Sequence, residues 1–193
     1  MKTKHFPMVL AVIAALVAVS SCGGQKKAAV DGKTEIIMPF NTPADMSDME
    51  YFRATASGTS PDQEMARTIA DLNARTQLGT QISTVVKAVT ERYMNQVNVA
   101  DKAEFAQKVE QNVRIVVNQE LSGAVVKGTK LYQAKDGSYE CWINIEMPRS
   151  KVTGALEDAI TKDEKLALDF DQHLFMKTFD EEMARQMQGN QSR

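Results

Sequence analysis

The dipeptide Asp136-Gly137 stands between two runs of alternating side chains, residues 124–134 and 138–147. A tight turn needs positive φ, which Asp-Gly adopts at low cost, so the pattern is that of a β-hairpin. In the second run Tyr139, Cys141, Ile143, Ile145 and Met147 point one way, and Glu140, Trp142, Asn144 and Glu146 point the other. One face therefore belongs to a core, and the other meets solvent or a partner. A hairpin is marginal alone and needs a third strand or a helix to bury its apolar face.

The flanking segments supply both. Residues 51–57 alternate, with Phe52, Ala54 and Ala56 opposite Tyr51, Arg53 and Thr55, and predict a strand that Gly58-Thr59 ends. Ser60-Pro61-Asp62-Gln63 reads as a helix start, with Ser60 as the cap and Pro61 at the first helical position. Met65, Ile69, Leu72, Ile82, Val86, Val89 and Tyr93 recur at helical spacing and predict a helix to about Gln96, roughly 50 Å long if unbroken. Gly79 either bends this helix or marks close packing on a sheet. Asp101-Lys102-Ala103-Glu104 opens a second helix through Phe105, Val109, Val113 and Leu121, closed by Gly123. The β-branched stretch at residues 114–117 leaves a strand as the alternative there. After Pro148 a helical stretch follows through Val152, Leu156 and Ile160. Thr161-Lys162-Asp163-Glu164 then starts a last helix carrying Leu166, Phe170, Leu174, Phe175, Phe179, Met183 and Met187. The expected fold is α+β: a three-stranded antiparallel sheet in the order strand–helix–helix–hairpin, packed on one face by a long helix, plus C-terminal helices.

The N-terminus carries an address. Lys2 and Lys4 precede a run from Phe6 to Val19 that is almost wholly apolar and uncharged. It suits a signal peptide and is shorter than the roughly 20 residues that span a bilayer. Small residues lead into a cysteine at Val19-Ser20-Ser21-Cys22, the pattern of a bacterial lipobox, in which Cys22 is lipidated after cleavage. Ordinary cleavage near Ser21 is the alternative. The expected divisions are 1–21 lipoprotein signal peptide, 22–48 lipidated tether and extended arm, 49–148 core domain, 149–188 C-terminal helices and 189–193 frayed tail. Residues 34–48, with the apolar cluster Ile36-Ile37-Met38 and then Pro39 and Pro43, are read as a short extended arm that docks on the domain.

Several matches taken in order resemble the LPP family of twenty-kilodalton bacterial lipoproteins, the Helicobacter membrane-associated type. They are Phe52-Arg53-Ala54 with Gly58 and Ser60, Asn73-Ala74-Arg75 in the alanine-rich helix, Gly123 with Val125-Val126, and Asp136-Gly137-Ser138-Tyr139 leading into Trp142 and Met147. The resemblance covers residues 50–148, and Lys162-Asp163-Glu164-Lys165 looks typical of Bacteroides-type members. It implies a lipid-anchored, palmitate-bearing cell-envelope protein, with outer-membrane sorting suggested by Gly23 in place of an aspartate. It supplies no catalytic residues.

The candidate chemistry is sparse. A formal net charge of -2 argues against a phosphate-neutralising nucleic-acid binder. His173, with Asp169 and Asp171 near it in sequence, reads as a solvated surface histidine rather than a metal ligand or base. Cys141, set among core residues of the hairpin, reads as a buried inert thiol rather than a nucleophile. Asp45, Asp48 and Glu50 read as a solvated linker, and Asp180-Glu181-Glu182 as a solvated helix face. Trp142, the sole tryptophan, lies on the face opposite the core stripe, where it is either an interface anchor or covered by the C-terminal helices. No catalytic residue, metal or cofactor is expected. The function read from the chain is a non-enzymatic outer-membrane-anchored lipoprotein, serving as an envelope structural or protein-interaction module that contacts the membrane through its anchor and docks on a protein partner or on itself. The alternative is a periplasmic or surface binding module for a small envelope ligand such as glycan or peptide.

Overall fold

The computed structural model describes residues 29–30, 33–34, 36–97, 101–164, 167 and 170–191. The expected signal peptide and Cys22 lie outside the described residues. The chain divides into two compact units, residues 1–37 and 38–193. In the first, β1 (Ala29–Val30) pairs antiparallel with β2 (Lys33–Thr34).

The second unit contains β3 (Tyr51–Ser60), α1 (Gln63–Gln96), α2 (Lys102–Glu120), β4 (Val125–Gln133), β5 (Tyr139–Pro148), α3 (Arg149–Thr161) and α4 (Gln172–Gln191). The three strands form an antiparallel sheet in the order β3-β5-β4, so the last strand in sequence is central. The fold is α+β as expected. The hairpin turns at Gly137, φ 87°, where the Asp136 carboxylate accepts from the Ser138 N–H at 3.0 Å and its hydroxyl at 2.7 Å.

The expected core stripe of β5 holds: Cys141, Ile145 and Met147 are fully buried and Ile143 nearly so. They meet Phe52, Ala54 and Ala56 of β3 and the inner face of α1. Strand β3 does not end at Gly58 but runs to Ser60. A Cβ at Gly58 would lie 2.5 Å from the Ala70 nitrogen and 2.6 Å from the Ala66 oxygen, so the helix backbone rests directly on the strand there. That closeness decides which face of α1 is inside. Ala66, Ala70 and Ala74 are buried, while Met65 and Leu72, expected in the core, are exposed because no large side chain fits against Gly58. Further along, where β3 offers Phe52, the buried residues become large: Leu78, Ile82, Val85, Val89 and Tyr93.

Several expected local signals shift. The N-cap of α1 is Asp62, whose carboxylate accepts from the Met65 N–H at 2.8 Å, and Ser60 instead accepts from the Asp62 N–H. Helix α1 runs unbroken through Gly79, which meets α2 and not the sheet: a Cβ there would come within 3.0 Å of Leu121 and 3.2 Å of Val117, so it lets α2 approach. Asp101 caps α2 as expected, and residues 114–117 are helical. A helix does start where Thr161-Lys162-Asp163-Glu164 predicts one, with Glu164 and Ala167 helical and the Ala167 N–H donating to the Asp163 carbonyl at 2.9 Å, but the last helix starts anew after Phe170. Asp171 caps α4 through the Leu174 N–H, and the Tyr93 hydroxyl accepts from the Asp171 N–H at 2.6 Å. Tyr93 also packs against Phe105, Phe170 and Phe175, joining α1, α2 and the start of α4. Helix α4 continues to Gln191, into the stretch expected to fray.

Candidate functional site

The outer face of the sheet, away from α1, carries Arg53, Thr55, Ser57, Asn144, Glu146, Trp142, Gly128 and Lys130 in cross-strand register. Sequence reasoning left this face to solvent or a partner. Part of it is covered by the chain itself. Residues 38–48 cross it as an arm, with a 3-10 turn at Pro43–Asp45. Fully buried Asn144 donates to the Asp45 carbonyl at 3.1 Å and to the Thr55 hydroxyl at 2.8 Å. The Lys127 ammonium donates to the Ala44 carbonyl and lies 3.6 Å from the Asp45 carboxylate. The Phe40 ring sits on Gly128, where a Cβ would come within 2.7 Å of it, and Lys130 lies 5.0 Å from the ring centroid. Phe40 itself takes φ 55°, a left-handed conformation uncommon outside glycine, and Gly128 makes room for it.

The acidic cluster here is not a solvated linker. Asp48 pairs with Arg53 and accepts from the Glu50 and Tyr51 N–H groups, each at 2.8 Å. Burial works to raise the Asp48 carboxyl, but the Arg53 hydrogen bond and the two N–H donors outweigh it and hold it below its ordinary value. The Thr42 hydroxyl, aided by its N–H and by Lys127, holds Asp45 below its ordinary value against a smaller effect of burial. Arg53 also bonds Glu146 at 2.9 Å and the Met46 carbonyl at 2.9 Å, tying arm, β3 and β5 together. The sequence signal for this hub was Asp48 and Arg53 five residues apart, flanking a strand start.

Trp142 is half-buried between Ser57 and Lys130, beyond the arm's contacts. The C-terminal helices are not over it: Phe179 of α4 packs edge-on to Phe52, and α3 lies against α2, both on the core side. The acidic run of α4 is also not simply solvated. Glu182 is buried and pairs with Arg92 at 3.0 Å, and Asp180 pairs with Arg149. Cys141 is fully buried beneath Gly58, and burial pushes its thiol up. His173 is exposed near the start of α4. Among the described residues no three His, Cys, Asp or Glu side chains converge as a metal site, and no helix is long and apolar enough to cross a membrane.

The two edges of the sheet differ. On β3 the Arg53 N–H donates to the Ser47 hydroxyl at 2.8 Å and the Arg53 carbonyl accepts from it at 3.1 Å, so Arg53 faces away from β5. The Ser57 carbonyl, in the same phase, accepts from Asn73 of α1 at 2.9 Å. Alternation then makes Glu146, opposite Arg53, bond β4. By the same alternation Val126, Thr129, Leu131 and Gln133 of β4 direct their backbone groups outward. Val125, Val126, Leu131 and Tyr132 are all exposed there. A bulge between Val126 and Gly128 is the strand's one irregularity.

A groove of ≈ 470 Å³ opens beside β3, floored by Phe52, Val85 and Met183 and rimmed by Gln77, Gln81 and Gln186. No family model matches the chain, and no curated protein or solved structure matches it.

Proposed function

We propose that the protein is a non-enzymatic lipoprotein, anchored through Cys22 to the outer membrane, whose α+β domain is an envelope protein-interaction module. The interaction surface is the open β4 edge with the adjoining outer face around Trp142. The observation that carries this reading is the contrast between the edges: on β3 Ser47 and Asn73 take both backbone groups of Arg53 and the Ser57 carbonyl, while among the described residues no hydrogen bond meets the four outward backbone positions of β4 and four apolar side chains there are exposed. An exposed apolar edge strand is a template for adding a further strand. The two groups with most chemical potential do not meet: Cys141 is sealed in the core and His173 stands on the surface.

Support for the anchor comes from the sequence, in the lysine-led apolar run ending at Cys22. Two or more acyl chains hold a protein stably at a membrane. Fractionation tests it. The wild-type protein is expected with membranes and Cys22→Ala as an uncleaved or soluble form, whereas soluble wild-type protein with unmodified Cys22 contradicts the reading. A second reading, a binding module for a small envelope ligand such as peptide or glycan, is favoured by the groove beside β3, whose ≈ 470 Å³ falls in the range of small-molecule sites. A Gln81→Ala variant that loses binding to an envelope peptide or glycan fraction would favour it over the edge.

A further inference from the structure

We propose that the occupant of the β4 edge is β4 of a second copy, the two strands pairing antiparallel about a two-fold axis at Thr129 to give one six-stranded sheet; this deepens the interaction-module reading and rests on it. The outward backbone phase places Thr129 at a hydrogen-bonding position, so the two Thr129 residues exchange both N–H···O bonds across the axis. Side chains opposed in an antiparallel pair share a face, and the bulge keeps that rule on both sides of the axis. On the helix side Leu131 of one copy meets Val126 of the other. On the outer side Tyr132 meets Val125, and Lys130 faces Gly128, over which that copy's own Phe40 ring sits. The four exposed apolar side chains of each copy thus pair with each other.

Charge does not stand against a copy. Strand β4 contains Lys127 and Lys130 and no acidic residue. Edge lysines ordinarily repel an incoming strand. Here both are turned onto their own arm, Lys127 to Asp45 and the Ala44 carbonyl, and Lys130 to the Phe40 ring. Lys127 is thus paired with a carboxylate while Lys130 keeps its charge against the ring, and neither lysine opposes its counterpart in this register.

The size of the contact says where it forms. Two nine-residue strands with four apolar side chains each lie at or below the low end of the roughly 1,200–2,000 Å² buried by a stable interface. Such a pair is weak between freely diffusing copies. Anchoring on one surface raises the effective concentration of one edge for another, so the pairing belongs to the membrane-bound protein.

Cysteine crosslinking of the full chain in native membranes tests the register. Across a hydrogen-bonded antiparallel pair the Cα atoms lie about 5.5 Å apart, within the range a disulfide spans. Thr129→Cys under mild oxidant is expected to give a band of twice the chain mass that the parent chain lacks. Adding Leu131→Arg should reduce that band at least tenfold without lowering the amount of protein in the membrane. Thr59→Cys, exposed on the closed strand, should stay monomeric. An adduct between Thr129→Cys and a different protein overturns the second copy as occupant while leaving the interaction module standing. Equal dimer yield from Thr59→Cys, or none from Thr129→Cys in membranes, overturns the proposal outright.

Discussion

Strands β3 and β4 flank the same central strand, yet the edge of β3 is met by other segments at Tyr51, Arg53 and Ser57, while among the described residues the edge of β4 is not. On β3, Ser47 satisfies both backbone groups of Arg53, Asn73 takes the Ser57 carbonyl, and α1 lies against Gly58. On β4, no side chain meets the outward groups of Thr129 or Leu131 in the hydrogen bonds of the described residues, and the helix-side residues Val126 and Leu131 are exposed. The difference follows from connection length. The turn Pro61-Asp62 folds α1 straight back along β3, whereas β4 follows α2 and is left outside the span of α1, whose sheet contacts go to β3 and β5. A sheet edge is an aggregation hazard unless it is managed. The chain manages one with side chains and the arm, and the other is left exposed among the described residues.

The comparison is broken most severely at Gly58. Gly58→Ala would force α1 off the strand, because the new Cβ meets backbone atoms that cannot rotate away. A loss of about 3 kcal/mol or more is expected in a denaturant titration. A loss under about 1 kcal/mol would mean that α1 does not rest on β3 as described. Ser47→Ala should remove about 1 kcal/mol or more by leaving both backbone groups of Arg53 without their partner, and should also produce self-association through β3. Sedimentation of that variant would show whether the hydroxyl is what closes the edge.

Acidification sharpens the same contrast. Asp45 and Asp48 both have lowered folded-state values, so their stabilisation of the arm is present above the ordinary carboxylate range of about 4 and is lost as pH falls through the lowered values. Proteolysis after residues of the arm should accelerate below that range and not near neutrality. On the open strand the effects on stability are small. Leu131→Ala should shift stability by no more than about 0.5 kcal/mol, since the side chain is already exposed. Trp142→Ala should leave the denaturation midpoint nearly unchanged while weakening association, and a large midpoint loss with association intact would move the interface elsewhere.

Much of the fold was legible because its signals are local. The Asp136-Gly137 turn and the alternation of β5 define a hairpin and its buried face without reference to anything distant. The inner face of α1 was not legible. Hydrophobic spacing favours Met65 and Leu72, but the backbone contact at Gly58 admits only Ala66, Ala70 and Ala74, and that depends on a strand a turn away. Asn144 and Asp48 were misjudged for a similar reason: a polar residue on a sheet face or in a linker is solvated unless another segment covers it, and the arm does. The edge position of β4 had a sequence signal in Lys127, Gly128 and Lys130, which suit a strand with one side unpaired.

The central claim is that the two edges differ in what they are open to. Amide hydrogen exchange on the acylated protein in vesicles, compared at low and high surface density, measures it directly. The Arg53 amide should be protected at both densities. The Thr129 and Leu131 amides should exchange rapidly when copies are sparse and slow at least tenfold when they are crowded. Protection of Thr129 and Leu131 that does not depend on density, or an Arg53 amide that exchanges as fast as theirs, would contradict the account.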